Sequence, residues 1–317
     1  MVSNTPNASN PVYDVVIIGG GPAGLNAALY TQRKGLSTIV AAGQFGGQVA
    51  NTSTVENYLG IKSEGGYDLS MIFADHVKEL GVPLMEYVTA DSYRKTEDCL
   101  HQVKLSDGST LTGRTMLIAT GSTPKHLDVP GEEDYNGLGV SYCAICDGPL
   151  YRGKKVVVSG GGNSAVQAAM DLGRICGEVY LVQRSSLRAD QILQEQVEKL
   201  DNVKIHLQTQ IREILGDGQK VSGVEVLDKL NGETRMIDAD GVFVQIGSLP
   251  NAGPFAGVVE TNEFGEIVVD QFNQTSEQGL FAAGDVTDVM YKQIIVAASE
   301  GAAAALSITS FLNQGLV

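Results

Sequence analysis

Two stretches of this chain share one pattern, in which an apolar run leads into a glycine-rich turn and then into an amphipathic segment. The first is YDVVIIGGGPAGLNAALY at residues 13–30, and the second is KKVVVSGGGNSAVQAAMDL at residues 154–172. The β-branched runs predict buried strands, and the apolar spacing after each turn predicts a helix. A strand–turn–helix unit around G-x-G-x-x-G or G-x-G-x-x-A is typical of dinucleotide binding, so the sequence predicts two such units.

Each position of the glycine turn has a physical task. The first glycine permits the tight turn, the second lets the backbone approach a pyrophosphate, and the third position must be small so that helix and strand can pack. The phosphates then lie at the helix N-terminus, among free N–H groups. An ordinary glycine turn remains an alternative for either copy alone. The three positions are Gly19, Gly21 and Gly24 in the first copy and Gly160, Gly162 and Ala165 in the second.

Length and composition fit two domains of ordinary size. The chain has 317 residues, against about 100–200 residues for one domain. Hydrophobic residues make up 43% and charged residues 19%, which favours packed cores over disorder. The formal net charge of −15 argues against non-specific binding to nucleic acid or to anionic membranes, because both need basic patches.

Targeting signals are not evident in the sequence. No stretch reaches the roughly 18 apolar residues that a membrane span needs. The opening residues, MVSNTPNASNPVYD, lack the basic and apolar regions of a secretory signal and predict a polar, frayed leader of about eleven residues. We therefore expect a cytoplasmic protein with no membrane and no nucleic-acid partner.

The chain has four cysteines, too few for a disulfide scaffold of this length. Cys143 and Cys146 have the spacing C-x-x-C, which indicates redox or metal chemistry in a cytoplasmic protein, and one helical turn can bring them to disulfide distance. A zinc site needs further ligands, and no second C-x-x-C or H-x-x-x-H is present, so no metal is predicted. Two buried thiols are the structural alternative. Cys99 and Cys176 are predicted to be packing residues.

Further elements are predicted between and after the two units. Apolar runs at 114–121 and 279–286 predict strands, and an alanine-rich helix follows the second run. The stretch 220–247 alternates β-type residues around Asn231-Gly232 and predicts a hairpin.

The sequence SYCAICDG at residues 141–148 resembles the S-Y-C-A-x-C-D-G motif of the low-molecular-weight thioredoxin reductases, which contain FAD. The similarity runs from about Tyr13 to Leu312. Landmarks of that family's FAD site occur in the same order. The residues that the resemblance implies for FAD binding are Gly19, Gly21, Pro22, Ala23, Gly24, Gly46, Gln48, Asn57, Ala119, Thr120, Gly121, Gly284, Asp285, Gln293 and Ile294.

The resemblance implies a three-layer α/β fold with two Rossmann-like dinucleotide-binding domains, the second inserted in the first. Residues 1–123 and 251–317 would form a discontinuous FAD-binding domain. Residues 124–250 would form a pyridine-nucleotide-type domain that carries the dithiol. In this family the small domain rotates, so that the dithiol alternately faces the flavin and the protein substrate, and members are commonly homodimers.

The resemblance also implies roles for individual side chains. Cys146 would exchange electrons with the flavin C4a position, Cys143 would attack the partner disulfide, and Asp147 would carry protons. Because Asp-Gly is also a turn signal, a purely local role for Asp147 is the alternative. Asp285 would contact the ribityl chain of FAD, and the alternative for it is a helix N-cap.

The second glycine turn departs from the family pattern. Members that use NADPH show G-G-G-D-S-A-x-E-E-A and then H-R-R-x-x-x-R, where this chain has GGGNSAVQAA at 160–169 and VQRSSLR at 182–188. The His is replaced and Gln183 stands where an arginine is expected. Because such arginines bind phosphate by charge-assisted hydrogen bonds, the change makes NADPH binding doubtful, unless the remaining arginines suffice. Candidates for this second nucleotide site are Gly160, Gly162, Asn163, Ser164, Ala165, Arg184 and Arg188.

We therefore expect an FAD-dependent thiol-disulfide oxidoreductase that passes electrons between flavin and the dithiol of Cys143 and Cys146, and on to thioredoxin or another disulfide protein. The electron donor stays open, and ferredoxin is one alternative to NADPH. An oxygen-dependent dithiol oxidase is a second reading of the same residues. A flavin-binding redox sensor without steady turnover is a third.

Overall fold

The computed structural model describes residues 11–52 and 54–315. The leader predicted from the sequence lies almost wholly outside these residues. The chain divides into two compact units. The first unit combines the chain up to Thr123 with the chain from Leu249 onward, and the second unit is Pro124–Ser248. Each unit therefore contains one of the two glycine turns.

Strands and short helices alternate along most of the described chain. The strands are β1 (Val12–Ile18), β2 (Thr38–Ala41), β3 (Leu84–Met85), β4 (Ala90–Lys95), β5 (His101–Leu105), β6 (Thr110–Ile118), β7 (Ser122–Pro124), β8 (Val140–Ser141), β9 (Lys155–Ser159), β10 (Glu178–Val182), β11 (Val203–His206), β12 (Thr209–Gly216), β13 (Val221–Asp228), β14 (Thr234–Asp238), β15 (Gly241–Val244), β16 (Ser248–Pro250) and β17 (Leu280–Ala282). The α-helices are α1 (Pro22–Arg33), α2 (Gly66–Glu79), α3 (Ala144–Asp147), α4 (Asn163–Gly173), α5 (Gln191–Val197) and α6 (Ile294–Asn313). Short 3₁₀ helices occur at Gly47–Asn51, Gly148–Tyr151 and Gly253–Phe255.

A seven-stranded sheet forms the core of the first unit, in the order β3-β2-β1-β6-β5-β4 with β17 beside β6. Strands β2, β1, β6 and β17 run parallel, whereas β4 and β5 form an antiparallel arm. Residues 15–18 of β1 are buried because apolar layers cover both faces of the sheet, as a parallel sheet requires. On one face the layer is formed largely by α1 and α6.

Helix α6 corrects the expectation that no stretch of the sequence is long and apolar enough to span a membrane. By length and composition alone it could cross a membrane, with a mean hydropathy of 1.6. In the structure it packs along α1, and Gly301 lies so close that an added Cβ would stand 2.0 Å from the Ala23 carbonyl oxygen. Asn26 on α1 donates a hydrogen bond to the Ala298 carbonyl oxygen at 2.6 Å. The apolar character of this helix thus serves, at least in part, the core of the first unit.

A parallel five-stranded sheet, in the order β11-β10-β9-β15-β8, forms the core of the second unit. Helices α4 and α5 contribute to the apolar layer on one face, and the antiparallel sheet β12-β13-β14 contributes to the layer on the other. The predicted hairpin is confirmed for β13 and β14, which Gly232 helps to join with φ of 76°. The rest of the predicted stretch is different, because β15 pairs in parallel with β9.

The two units thus have the predicted architecture of Rossmann-like dinucleotide-binding domains. Strands β7 and β16 pair with each other and lie where the chain passes from one unit to the other. Of the two isolated cysteines, Cys176 is buried as predicted, whereas the prediction for Cys99 is wrong. Cys99 is exposed and takes φ of 60° in a turn between β4 and β5.

Candidate functional site

The predicted FAD-binding residues of the first unit gather at one edge of its sheet. Strands β1, β2, β6 and β17 are parallel, so their carboxyl ends meet at the same edge. The turns that follow them carry the glycine turn, Gly46 with Gln48, residues 119–121, and Gly284 with Asp285. A ligand site at the carboxyl edge of a parallel sheet is the arrangement expected for this fold class.

The first glycine turn has the geometry that a bound pyrophosphate needs. An added Cβ at Gly19, where φ is +117°, would lie 2.0 Å from the Ala119 carbonyl oxygen, and one at Gly24 would lie 1.9 Å from the Gly19 oxygen. At Gly21, by contrast, the nearest atom to an added Cβ is the Gly46 oxygen at 3.9 Å. The backbone is therefore tight where strand and helix pack and open where phosphate would approach. Gly21 precedes α1 and offers no capping side chain, which leaves the helix N-terminus to a ligand.

Polar side chains that are far apart in sequence meet at this edge. Gln48 Nε2 donates to Asp285 Oδ2 at 3.3 Å and reaches Ser122 Oγ at 3.4 Å. Asn57 Nδ2 donates to Gln293 Oε1 at 3.3 Å. The structure thus brings together members of the predicted set from both segments of the first unit.

Two carboxyl groups of the first unit have raised pKa values. Burial raises the pKa of Asp285, and Lys292 and Gln48 oppose the rise. Burial likewise raises the pKa of Glu300, whose Oε2 accepts a hydrogen bond from the Gly284 N–H at 2.7 Å. The N-cap alternative for Asp285 is not found, because α6 begins at Ile294 with Gln293 as its cap. Glu300 was missed at the sequence level, although an acid within an otherwise apolar helix is a usable signal.

These observations fit an extended dinucleotide flavin. The open turn at Gly21 suits its pyrophosphate, and the carboxylates and amides suit a chain of hydroxyl groups between phosphate and ring. The residues named for FAD in the sequence therefore remain its predicted ligands.

The second glycine turn keeps the same construction. An added Cβ at Gly160, where φ is +144°, would stand 2.2 Å from the Gln245 carbonyl oxygen and 2.7 Å from the Ala165 Cβ. At Gly162 no atom lies within 4 Å of an added Cβ, and Gly162 precedes α4 without a capping side chain. The turn is thus shaped for a pyrophosphate despite its altered sequence.

The residue directly after β10 is Gln183, and not the acidic residue that binds the ribose of NAD in many sites of this fold. Gln183 is buried with 6% exposure, accepts a hydrogen bond from the Arg184 N–H at 3.0 Å and donates to Ser185 Oγ at 3.3 Å. Asn163 holds the segment after β10, because its side chain donates to Asp190 Oδ2 at 3.0 Å and accepts from the Asp190 N–H at 2.8 Å.

Two arginines are left exposed on that segment. Arg184 and Arg188 are both exposed, and neither forms an ion pair within residues 11–52 and 54–315. A guanidinium near the end of this strand can accommodate a ribose 2′-phosphate, whereas NAD sites usually present an acid. The arginines that the sequence singled out are therefore free to meet a ligand.

The C-x-x-C pair of the second unit is a disulfide. Cys143 and Cys146 are bonded with a Cα–Cα distance of 5.3 Å, which replaces the alternative of two free thiols. Cys143 caps the short helix α3, and its sulfur accepts a hydrogen bond from the Cys146 N–H at 3.2 Å. Asp147 ends the same helix, and burial raises the pKa of its carboxyl. The predicted redox pair and the predicted proton carrier thus occupy one helical turn.

The fold, the two glycine turns and the disulfide define a flavoprotein disulfide oxidoreductase. The chain belongs to the pyridine nucleotide-disulphide oxidoreductase family, which it matches over residues 13–301. Within that family it is similar to a solved thioredoxin reductase from Streptococcus pyogenes MGAS5005. That structure superposes with a TM-score of 0.91 at 36% identity, and the match covers 96% of this chain and 100% of the solved one.

Curated relatives share more sequence but are longer. An alkyl hydroperoxide reductase component from Pseudomonas putida is 45% identical over 297 residues, which is 93% of this chain and 57% of that protein. NADH dehydrogenase from Bacillus subtilis (strain 168) is 42% identical over 306 residues, 96% of this chain and 60% of that protein. The chain thus spans less than two thirds of the length of the curated relatives it matches.

Proposed function

We propose that this chain passes electrons from a reduced nicotinamide dinucleotide, through FAD bound in the first unit, to the Cys143–Cys146 pair and on to the disulfide of a partner protein. The observation that carries the proposal is the C-x-x-C disulfide on a helical turn that ends in a half-buried carboxyl, in a chain with two glycine turns shaped for pyrophosphate.

FAD supplies the conversion between hydride transfer and thiol chemistry when it is bound. The glycine turn at Gly19–Gly24 would hold its pyrophosphate at the start of α1. The carboxylate of Asp285 and the amides of Gln48 and Asn57 would bind its polar groups, and Glu300 would fix the Gly284 backbone through its hydrogen bond.

The cysteines and Asp147 would perform the exchange. In the reduced pair, Cys143 attacks the partner disulfide as a thiolate, and Cys146 then attacks Cys143 to restore the internal disulfide. Asp147 would give and take the protons, since its raised pKa moves it toward the range in which a carboxyl can do both. The assignment of the two sulfurs to partner and flavin follows the thioredoxin reductase resemblance.

A nicotinamide dinucleotide is proposed as the donor because the second glycine turn keeps its shape. The relative from Bacillus subtilis carries the name NADH dehydrogenase, which points to the same class of donor. The exposed Arg184 and Arg188 leave room for a 2′-phosphate as well, so NADH and NADPH must be compared directly. Nothing within the described residues favours ferredoxin, an oxidase reaction or a sensor without turnover.

The acceptor is proposed to be a small disulfide protein. The relatives named for thioredoxin reduction and for alkyl hydroperoxide reduction suggest thioredoxin or a protein of hydroperoxide reduction. A homodimer and a cytoplasmic location stay predictions.

The experiment that tests the function pairs two variants with one titration. Cys143→Ser and Cys146→Ser should each keep bound flavin, read from its visible absorbance, while reduction of thioredoxin falls at least about a hundredfold, because exchange needs both sulfurs. The control is Cys99→Ser, which removes an exposed cysteine of the first unit and should retain full rate.

Anaerobic titration with NADH and with NADPH then identifies the donor. Loss of flavin colour at near-stoichiometric addition of either nucleotide supports the proposal. A flavin that stays oxidised with both, or a cysteine variant with undiminished turnover, would overturn it.

A further inference from the structure

Ser141 joins the redox helix to its proton carrier. It is the last residue of β8 and is 5% exposed. Its Oγ accepts a hydrogen bond from the Cys143 N–H at 3.1 Å and donates one to Asp147 Oδ2 at 2.6 Å. One hydroxyl therefore contacts both ends of the segment that contains the disulfide.

The other oxygen of the Asp147 carboxyl is arranged differently. Asp147 Oδ1 is buried and has no hydrogen-bond partner among the residues that the structure describes. Leaving a buried carboxyl oxygen without a hydrogen-bond partner costs free energy, and a redox or catalytic role is one explanation for such a group. The Ser141 hydroxyl thus fixes one oxygen and leaves the other available to exchange a proton.

The surroundings of Asp147 leave Ser141 as its principal polar support. Burial raises the pKa of Asp147, and the Ser141 hydrogen bond opposes the rise. Within residues 11–52 and 54–315, one ionisable group near Asp147 is the Tyr151 phenol, whose pKa is raised by burial and by the charges of Asp147, Asp240 and Cys176. The two cysteines also become ionisable once the disulfide is reduced. From the end of α4, Leu172 contributes only an apolar contact, 3.0 Å from the place that a Cβ on Gly148 would take.

We propose that Ser141 is a positioning residue for thiol-disulfide exchange, because it holds the Asp147 carboxyl in one orientation and ties it to the backbone of the attacking cysteine. This inference rests on the proposed function. In the exchange, Cys143 gives its proton to Asp147 and attacks a partner sulfur, so the partner S–S bond breaks as the mixed S–S bond forms. The released partner sulfur takes that proton.

The second half of the exchange balances the first. Cys146 gives its proton to Asp147 and attacks Cys143, so the mixed bond breaks and the internal disulfide forms. The second partner sulfur leaves and takes this proton. Two electrons and two protons have then passed from the dithiol to the partner, and Asp147 is unchanged.

The test measures one exchange without steady turnover. The protein, carrying Cys99→Ser so that its exposed thiol does not react, is reduced with dithiothreitol and freed of it. It is then mixed with 5,5′-dithiobis(2-nitrobenzoate) in a stopped-flow instrument across a range of pH. Asp147→Asn should remove the limb of the pH profile that belongs to this carboxyl. In Ser141→Ala the same limb should move to a pH higher by about one unit, because the Asp147 carboxylate loses its hydrogen bond. At a fixed pH on the limb, the rate should then be about tenfold lower than in wild type.

Three further variants separate positioning from folding. Ser141→Thr keeps a hydroxyl and should restore the wild-type limb, whereas Ser141→Gly lacks it and should behave like Ser141→Ala. Thr209→Val removes another buried hydroxyl of the second unit, one that donates to the Leu207 carbonyl oxygen, and should leave the profile unchanged.

The outcomes distinguish a failure of the Ser141 inference from a failure of the proposed function. If Ser141→Ala and Ser141→Gly both keep the wild-type pH profile while Asp147→Asn loses the limb, Ser141 does not position Asp147 and the proposed function stands. If Asp147→Asn itself keeps the limb, neither the inference nor the proton-carrying role survives. If Cys143→Ser reacts as fast as wild type, the proposed exchange is wrong.

Discussion

Ionisable side chains that are wholly or partly buried differ in what they contribute. Partial burial raises the pKa values of Asp285 and Glu300 at the candidate FAD site and of Asp147 beside the disulfide. His101 lies apart from both sites and is 1% exposed, with its Nδ1 2.9 Å from the Tyr93 hydroxyl and its Nε2 2.4 Å from an added Cβ on Gly279. We therefore assign it to stability rather than to chemistry.

The pKa of His101 predicts a loss of stability in mild acid. Burial, assisted by the charge of Lys95 and opposed by Glu277, lowers this pKa from 6.5 to about 4. Between these values the unfolded chain binds the proton and the folded chain does not, so the free energy of unfolding falls as the pH falls below 6.5. His101 should account for a loss of about 2 kcal/mol by about pH 5.

Urea unfolding of wild type and His101→Gln at about pH 7 and about pH 5 measures this loss. The variant should lose less stability than wild type between the two conditions. The difference between the two proteins isolates His101, because the acids with raised pKa values act in the opposite direction and are common to both. An equal loss in both proteins would contradict the assignment.

At the scale of elements, the strand–turn–helix units were predictable because their signals are local. Gly19 and Gly160 take positive φ, a Cβ on Gly24 would clash with the Gly19 carbonyl oxygen, and Ala165 is fully buried, so the small residues in the sequence carry the geometry directly. The predicted strand at 279–286 is shorter, because β17 ends at Ala282 and the turn to Asp285 begins there.

Contacts between distant elements were not predictable in the same way. Glu300 reaches the Gly284 backbone only because α6 packs beside β17, and Ser141 meets Asp147 only because β8 ends where α3 begins. The buried position of the Gln183 side chain likewise depends on Gly161, because an added Cβ at Gly161 would lie 2.4 Å from Gln183 Nε2. Sequence patterns name the residues of such a site, but tertiary packing decides which atoms meet.

The start of α1 gives a prediction that separates folding from ligand binding. Gly24→Ala places a methyl group 1.9 Å from the Gly19 oxygen, so it should destabilise the first unit by about 1–3 kcal/mol. Gly21→Ala meets no atom nearer than 3.9 Å and should fold with nearly wild-type stability, yet bind FAD at least about tenfold more weakly, because its methyl group occupies the phosphate approach.

Thermal unfolding and quenching of FAD fluorescence by the deflavinated variants measure the two effects. Gly35→Ala serves as a comparison outside the site, since Gly35 follows α1 with φ of +78° and meets no atom within 4 Å. It should lose some stability to backbone strain and keep its FAD affinity. Tight FAD binding by Gly21→Ala would show that the pyrophosphate does not approach there.

At the scale of the molecule, the first unit is assembled from two separate segments of the chain. Gly21 and Gln48 come from the segment before the second unit, and Asp285 and Glu300 come from the segment after it. A ligand that contacts both segments stabilises their association in the first unit. The second unit is one continuous segment, so it has no such association for the ligand to stabilise. FAD should therefore act on the two units unequally.

Hydrogen exchange of the full chain, with and without FAD, tests this inequality. At a free FAD concentration of about 100 times its Kd, the first unit gains about 2.7 kcal/mol, so amides that exchange by its global unfolding should slow about a hundredfold. Residues 15–18 of β1 and 116–118 of β6 report on that unit, and residues 156–158 of β9 report on the second. Equal slowing in both groups would mean that FAD binding is not confined to the first unit, because a ligand stabilises only the cooperative unit whose unfolding releases it.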